Sequence, residues 1–314
     1  MFSIRNELFG PFEKYILRNL HTGEYVSIIP AFGGNVTELA LRKKEKLFSV
    51  LDGNKTAQDL MEDNAYKGAQ LIPFASRIEN GTYTFQGKTY QLPVNEKERN
   101  HALHGFLNNK KFNIVKVTEG TNLASIEVSF AYNKEIPGYP FSFLAGLVYS
   151  LSDKGFKIET TVKNTGVSDM PFSCGWHPYF TFSKPVDKLF LHLPSRRSIV
   201  LNERLIPTDK IKEDQRFYKP AKIGSTQLDD SFIIENGGIA KTELYSVQDD
   251  TTISIWQESG AGKFNSLQVY IPPGRRSIAV EPVTSQTNAY NNGKGLIVLK
   301  PGETFHASYG VFIS

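Results

Sequence analysis

Apolar and polar residues alternate with a period of two through long stretches of this 314-residue chain, and no other feature restricts its fold as strongly. Ile126, Val128, Phe130 and Tyr132 fall on one side of an extended segment, with Glu127 and Ser129 on the other. Phe156, Ile158, Thr160 and Val162 likewise oppose Lys157, Glu159, Thr161 and Lys163. Successive side chains of a strand point to opposite faces, so these segments read as strands with one buried and one wet face. Residues 81–92 form a hairpin pattern: Tyr83 and Phe85, a turn near Gly87, then Tyr90 and Leu92. Asp153-Lys154-Gly155 marks another turn, and further strands are expected at residues 26–29, 144–151, 253–257, 267–271, 277–281 and 304–312.

Helical signals are few. Residues 56–62 allow one or two turns, with Thr56 placed to cap them. Strands do not alternate with long amphipathic helices, which excludes a doubly wound α/β fold and leaves a sandwich or barrel. No fixed-period repeat or linker divides the chain, so residues 1–314 are expected to form one domain. The polar segment 195–222, with Pro207 and Pro220, reads as a long surface excursion.

The formal net charge of +4 is spread along the chain. Its densest run, Arg42, Lys43, Lys44 and Lys46, is interrupted by Glu45 and reads as a solvated turn, so no nucleic-acid partner is expected. The single cysteine, Cys174, rules out an intramolecular disulfide and any multi-cysteine metal site. It lies on the apolar side of its segment, as a buried thiol would. The N-terminus lacks a basic start followed by an apolar run, and nothing approaches the ~20 apolar residues of a membrane helix. The expectation is a soluble, cytoplasmic protein without a membrane partner.

Several polar residues break this pattern. In residues 172–180, His177 sits among aromatic rings, and Pro178 holds it extended. Ser173, Gly175 and His177 then share one face, opposite Phe172, Cys174 and Trp176. The His177 face carries almost nothing bulky, which leaves space for a ligand; the plainer alternative is a core histidine beside a turn. In the strand at 277–281, Ile278 and Val280 face the core, and Glu281 shares the other face with the small Ser277 and Ala279. A carboxylate is costly to bury there without a partner, so the competing reading is a solvent-facing glutamate. Arg77 offers a planar fork suited to vicinal hydroxyls or a carboxylate, although arginines more often pair with a neighbour such as Glu79. His101 and His104 are three apart, but Gly105 argues against a helix, and an extended chain sends them to opposite faces. With no cysteine or carboxylate pair nearby, His104 suits a hydroxyl better than zinc, and no metal site is expected. Asp229 and Asp230 are adjacent acids of the kind that cap turns.

Taken in order, these residues resemble one family. Arg77 lies in Arg-Ile-Glu-Asn-Gly, His104 in Leu-His-Gly, His177 in His-Pro-Tyr-Phe and Glu281 in Glu-Pro-Val-Thr, with an aspartate near 229, Tyr139 in Gly-Tyr-Pro, and a closing stretch from Asn288 to Glu303. The pattern is similar to that of the aldose 1-epimerases, the galactose mutarotase-like proteins, over residues 25–312. The resemblance implies an all-β fold, a large antiparallel β-sandwich with a sugar groove across one sheet, and no cofactor or metal. It implies that His177 is the acid, Glu281 the base, and that Arg77, His104 and Asp229 hold a small-molecule sugar. Two departures bear on sugar preference: Phe106 follows Gly105 where a second glycine is usual, and Asp-Asp-Ser-Phe leaves Asp230 as the alternative to Asp229.

Interconverting α- and β-anomers needs a base at the C1 hydroxyl and an acid at the ring oxygen, roles a partly desolvated carboxylate and imidazole can fill. Trp176, Tyr179 and Phe106 are candidates to pack on the apolar face of the sugar. Two alternatives compete. A hexose-6-phosphate mutarotase needs a cationic pocket, from Arg275 and Arg276 or from Arg42 and Lys43. A non-catalytic carbohydrate-binding protein needs no acid–base pair. A glycoside hydrolase would want two carboxylates flanking the bond, and only one strong candidate is present.

Overall fold

The computed structural model describes residues 1–235 and 237–314. The period-two segments are antiparallel strands. Leu123–Tyr132, Phe143–Ser152 and Gly155–Asn164 follow one another as hairpins, and Thr304–Ile313 returns beside the last. Their register aligns Ile126, Tyr149, Ile158 and Tyr309 in one cross-strand row, all buried. Such rows are what stabilise a sheet, and a one-residue slip would turn the whole row to solvent. Among the described residues this sheet has nine strands, running from Asn113–Thr118 at one edge to Ala221–Lys222 at the other.

A second sheet has eight strands among the described residues. Its order is Pro207–Glu213, Arg197–Leu201, Asp229–Ile233, Ser266–Tyr270, Ile278–Val283, Gly175–His177 and Ala69–Leu71, with Tyr179–Phe180 also paired to Ile278–Val283. The two sheets pack face to face. The Trp176 indole stacks on Tyr309 of the nine-stranded sheet at 5.6 Å and meets Phe156 edge-on at 6.1 Å. The Tyr309 hydroxyl donates to Gln70 Oε1 at 2.6 Å, so its polar end is satisfied inside the core. Burying an aromatic of this size removes roughly 150–250 Å² from water, an upper bound of about 4–6 kcal/mol each. A five-stranded meander, Phe2–Phe9 through Lys46–Ser49, adds Leu17, Val26, Ile28 and Leu39 to the same core.

The hairpin and the turn at 153–154 lie where expected. The short helix is Ala57–Met61, with Thr56 and Asp59 exchanging the two bonds of a capping box. A second one, Ala289–Asn292, was not anticipated. Segment 195–222 is not a free excursion: Arg197–Leu201 and Pro207–Glu213 are paired strands at the edge of the eight-stranded sheet. The polarity of the outer strand, Pro207–Glu213, reflects that edge position, since most of it is exposed. The basic run is a surface turn whose lysines meet Asp249 and Asp250. Cys174 is buried, and burial raises its thiol well above the usual range. Among the described residues, no helix is long and apolar enough to cross a membrane.

Candidate active site

The face of the eight-stranded sheet turned away from the sandwich core carries the polar residues. Leu267, Val269, Ile278 and Val280 point into the core, so alternation sends Gln268, Tyr270, Ala279 and Glu281 outward. Register pairs Gln268 with Glu281 and Asp229 with Tyr270, which lays carboxylates and amide side by side. Gly175 lets the next strand approach closely: a Cβ there would lie 2.6 Å from Val283 Cγ1 and 2.8 Å from the Pro282 carbonyl. That approach delivers His177 to Glu281, with Nε2 3.4 Å from Oε1.

The other wall comes from the ladder of Arg77–Glu79 with His101–Leu103. Beyond it the chain turns through two left-handed residues, His104 (φ 62°) and Gly105 (φ 71°). A Cβ on Gly105 would stand 2.1 Å from the Ile72 carbonyl oxygen, so only glycine fits. The turn is tied by His104 N–H donating to the Ser76 carbonyl at 3.0 Å, and by Ser76 N–H donating to His104 Nδ1 at 3.2 Å. With Nδ1 accepting, the neutral ring carries its hydrogen on Nε2, which makes His104 a donor to the space it faces.

Arg77, His104, His177, Asp229 and Glu281 all line one cavity of about 460 Å³. Arg77 does not pair with Glu79. Its Nε and Nη2 make a bidentate contact with Glu96 at 2.9 Å each, and Arg99 Nη1 reaches the same carboxylate at 3.1 Å. Asp229, not Asp230, faces the cavity and accepts from Gln268 Nε2 at 2.9 Å. Asp230 turns the other way, to Arg216 and Lys212. Both acids belong to a strand, not a turn.

Other expectations need correction. Tyr179 lines the cavity and stacks on His177 at 5.1 Å, but Trp176 is core and Phe106 faces a neighbouring hollow. Trp176 neighbours His177 in sequence, so alternation alone puts its ring on the opposite face. Tyr139 is also core, its hydroxyl donating to the Pro171 carbonyl. His101 points away from His104, toward the Arg204 carbonyl. Arg275 is held by Asp187 and the Gly224 carbonyl, and neither it, Arg276, Arg42 nor Lys43 lines the cavity. The sequence reading missed Tyr66, Glu96, Arg99, Gln268 and Tyr270. Of these, Gln268 and Tyr270 were accessible through the alternation of residues 267–271.

Burial governs the electrostatics. Glu281 is 3% exposed, and desolvation raises its carboxyl well above the usual range, helped by Asp229 and opposed by Arg77. Desolvation pushes His177 down to about 3, with Arg77 adding to the effect. It also takes His104 well below its ordinary value, aided by His177 and Arg77. Asp229 is raised by desolvation and opposed by Arg77. Its residue is exposed, so water screens that effect and we read it as a carboxylate. Both shifts have the same cause and favour the uncharged forms, a carboxylic acid at Glu281 and a neutral imidazole at His177.

A model of the family described as aldose 1-epimerase matches residues 17–311. The chain is 28% identical over 304 residues to the Escherichia coli K12 protein YihR, covering 94% of this chain and 92% of that one. It is 24% identical over 224 residues to the galactose mutarotase of Sus scrofa, covering 68% of this chain and 63% of that protein. The solved galactose mutarotase-like protein of Clostridium acetobutylicum superposes with a TM-score of 0.88 at 24% identity, over 100% of this chain and 98% of that one. Galactose 1-epimerase of Lactobacillus acidophilus NCFM does so with 0.81 at 15%, over 100% and 98%. At such identities the structural likeness establishes the fold, and the family match covers nearly the whole sequence: the chain belongs to the aldose 1-epimerase family.

Proposed function

We propose that the protein is a mutarotase that interconverts the α- and β-anomers of a free hexose such as glucose or galactose. The observation that carries this reading is the 3.4 Å approach of His177 Nε2 to Glu281 Oε1 inside a cavity of about 460 Å³. The hemiacetal hydroxyl and the ring oxygen share one carbon. An acid and a base serving both must therefore face one site, as these two residues do.

In the proposed reaction Glu281 takes the proton of the C1 hydroxyl while imidazolium His177 protonates the ring oxygen. The C1–O5 bond breaks and a carbonyl forms at C1. The pair passes from carboxylate–imidazolium to carboxylic acid–imidazole, with its proton count unchanged. The aldehyde rotates about C1–C2 and closes on its other face, and the protons return. The uncharged pair is the same pair with its proton on the other partner, and the sugar's hydroxyls supply the polar surroundings that favour the charged arrangement, while Arg77 favours the carboxylate half of it. General acid–base groups of this kind contribute ~10²- to 10⁴-fold each. Arg77, fixed by Glu96, and the Nε2 hydrogen of His104 donate to sugar hydroxyls, while Asp229 accepts from them. Tyr179 and Tyr66 flank the ring.

A sugar phosphate is disfavoured because Arg275 is committed elsewhere, Arg276, Arg42 and Lys43 lie outside the cavity, and Glu96 offsets the cavity's own cations. Polarimetry of freshly dissolved α-glucose and α-galactose tests the proposal. Acceleration proportional to enzyme concentration is expected, and greater activity on glucose 6-phosphate than on glucose would overturn the choice of substrate. Sugar binding without faster anomer exchange would identify a binding protein instead.

A further inference from the structure

His177 lacks the support that usually orients a histidine acting as an acid. Its Nε2 meets Glu281 Oε1 at 3.4 Å. Among the described residues its Nδ1 is buried without a hydrogen bond to another residue, apart from a contact with its own carbonyl. A histidine in this role ordinarily gives its second ring nitrogen to a carboxylate or a neighbouring carbonyl, which fixes the ring plane and stabilises the cation. What the ring does meet is an aromatic face: Tyr179 stacks on it with centroids 5.1 Å apart and planes 14° from parallel. We propose that Tyr179 is a positioning residue for the reaction, whose ring face holds the imidazole plane and stabilises the imidazolium in place of an acceptor on Nδ1. The proposal rests on the mutarotase reading of the cavity and deepens it.

The local chain builds the stack. In an extended segment residues two apart share a face, so His177 and Tyr179 point the same way across Pro178. The Pro178 carbonyl accepts from Val280 N–H at 3.3 Å, which pins this segment beside the strand that carries Glu281. The Tyr179 hydroxyl donates to the Ala65 carbonyl at 3.2 Å, and Tyr270 meets the ring edge-on at 6.4 Å. Turning the ring away from His177 would break that hydrogen bond. Tyr66, next to Ala65 in the chain, adds a second near-parallel ring at 6.4 Å and 21°, and its own hydroxyl accepts from Asn95 Nδ2 at 3.0 Å.

Distance decides which ring matters more. A cation is attracted by a ring whose centroid lies within about 6 Å, and the attraction is stronger where water is excluded. Tyr179 is inside that range of a buried imidazole, and Tyr66 is just outside it. The other groups facing His177 do not take over the task. Glu281 attracts the cation but exchanges the proton with it, Arg77 opposes the cation, and the His104 ring stands edge-on at 5.2 Å. Lys67, over the Tyr179 ring at 5.8 Å, is paired with Asp52 at 3.0 Å. In the reaction Nε2 gives its proton to the ring oxygen and Nδ1 keeps its own. The stack therefore favours the charged arrangement that precedes the transfer, and it acts on kcat more than on KM.

The test replaces Tyr179 with phenylalanine and with phenylalanines bearing one, two or three ring fluorines, which keep the ring's shape and withdraw its electron density. Anomer exchange of α-glucose should show kcat falling along the series, by about 5- to 30-fold from the unfluorinated to the trifluorinated ring, with KM within about twofold. Tyr179→Phe should keep kcat within about 3-fold of the wild type, since it retains the ring face. NMR of the histidine ring nitrogens in the same proteins, without sugar, should show the His177 titration midpoint falling in the same order. A kcat or a midpoint that ignores fluorination would overturn the proposal. So would a rise in KM with kcat kept, which would make Tyr179 a sugar contact alone. A wild type that does not accelerate anomer exchange would overturn the mutarotase reading instead, and the titration, which needs no sugar, keeps the two failures distinguishable.

Discussion

Replacing Glu281 with glutamine should abolish catalysis and stabilise the fold at the same time. Glutamine keeps the size and the hydrogen-bonding shape of the side chain but cannot take a proton. Glu281 is 3% exposed and stands 3.4 Å from His177, and among the described residues no other carboxylate pairs with that imidazole. Loss of a general base costs ~10²- to 10⁴-fold, or about 3–5 kcal/mol of transition-state stabilisation. The stability effect follows from burial. The ordinary value for the carboxyl is 4.5, and the folded protein holds it well above that. Below pH 4.5 both folded and unfolded chains carry the proton. As pH rises through 4.5, the unfolded chain releases it and the folded one does not, so stability declines until the folded group ionises too. Glu281→Gln lacks that decline. Its melting temperature should exceed the wild type's at pH 8, and the gap should close as pH falls towards 4.5. Polarimetry reads the first effect and thermal unfolding at several pH values the second. A variant that mutarotates at the wild-type rate refutes the base assignment. One that melts lower than wild type at pH 8 refutes the claim that burial strains this carboxyl.

Three further expectations follow from the same geometry. The pH–rate profile should be bell-shaped with a broad plateau through neutrality, and its acid limb should fall only as pH approaches about 3, where the Glu281–His177 pair takes up an extra proton and Glu281 can no longer accept one; a limb near 6.5 would show that His177 titrates as an ordinary histidine. Glu96→Gln should free the Arg77 guanidinium and remove the charge that offsets it, raising KM roughly 10-fold, as loss of about 1.4 kcal/mol would, and moving the acid limb further down; steady-state kinetics across pH with unchanged parameters would contradict the clamp. Gly105→Ala should destabilise the protein by on the order of 1–3 kcal/mol and displace His104, because its methyl group meets the Ile72 carbonyl at 2.1 Å; urea unfolding with no change in midpoint would show that the turn can relax.

Much of this architecture was legible because burial writes itself into alternation. The strand 155–164 buries every second residue from Phe156 to Asn164, and the same rule placed Gly175 and His177 opposite Trp176. The convergence of His177 with Glu281 came from family resemblance, since no local rule relates residues 104 positions apart. What failed did so for physical reasons. Arg77's partner Glu96 lies across a ladder that spacing does not reveal, and Trp176 was credited with a sugar contact although its own strand turned it into the core. The outer edge strand, Pro207–Glu213, is polar but for the exposed Ile211 because little covers it, so period two was absent where a strand was present. The N-terminal strands 2–9 and 12–19 escaped notice similarly: Arg5, Asn6 and Glu7 interrupt the first where it lies on the surface.

The most direct measurement is a crystal structure of the Glu281→Gln protein soaked with galactose or glucose. The account predicts one pyranose in the cavity, its C1 hydroxyl within hydrogen-bonding distance of residue 281 and its ring oxygen facing His177 Nε2, with Arg77, His104 and Asp229 on the remaining hydroxyls. A sugar bound there with its anomeric carbon turned away from both residues, or seated elsewhere on the molecule, would contradict it.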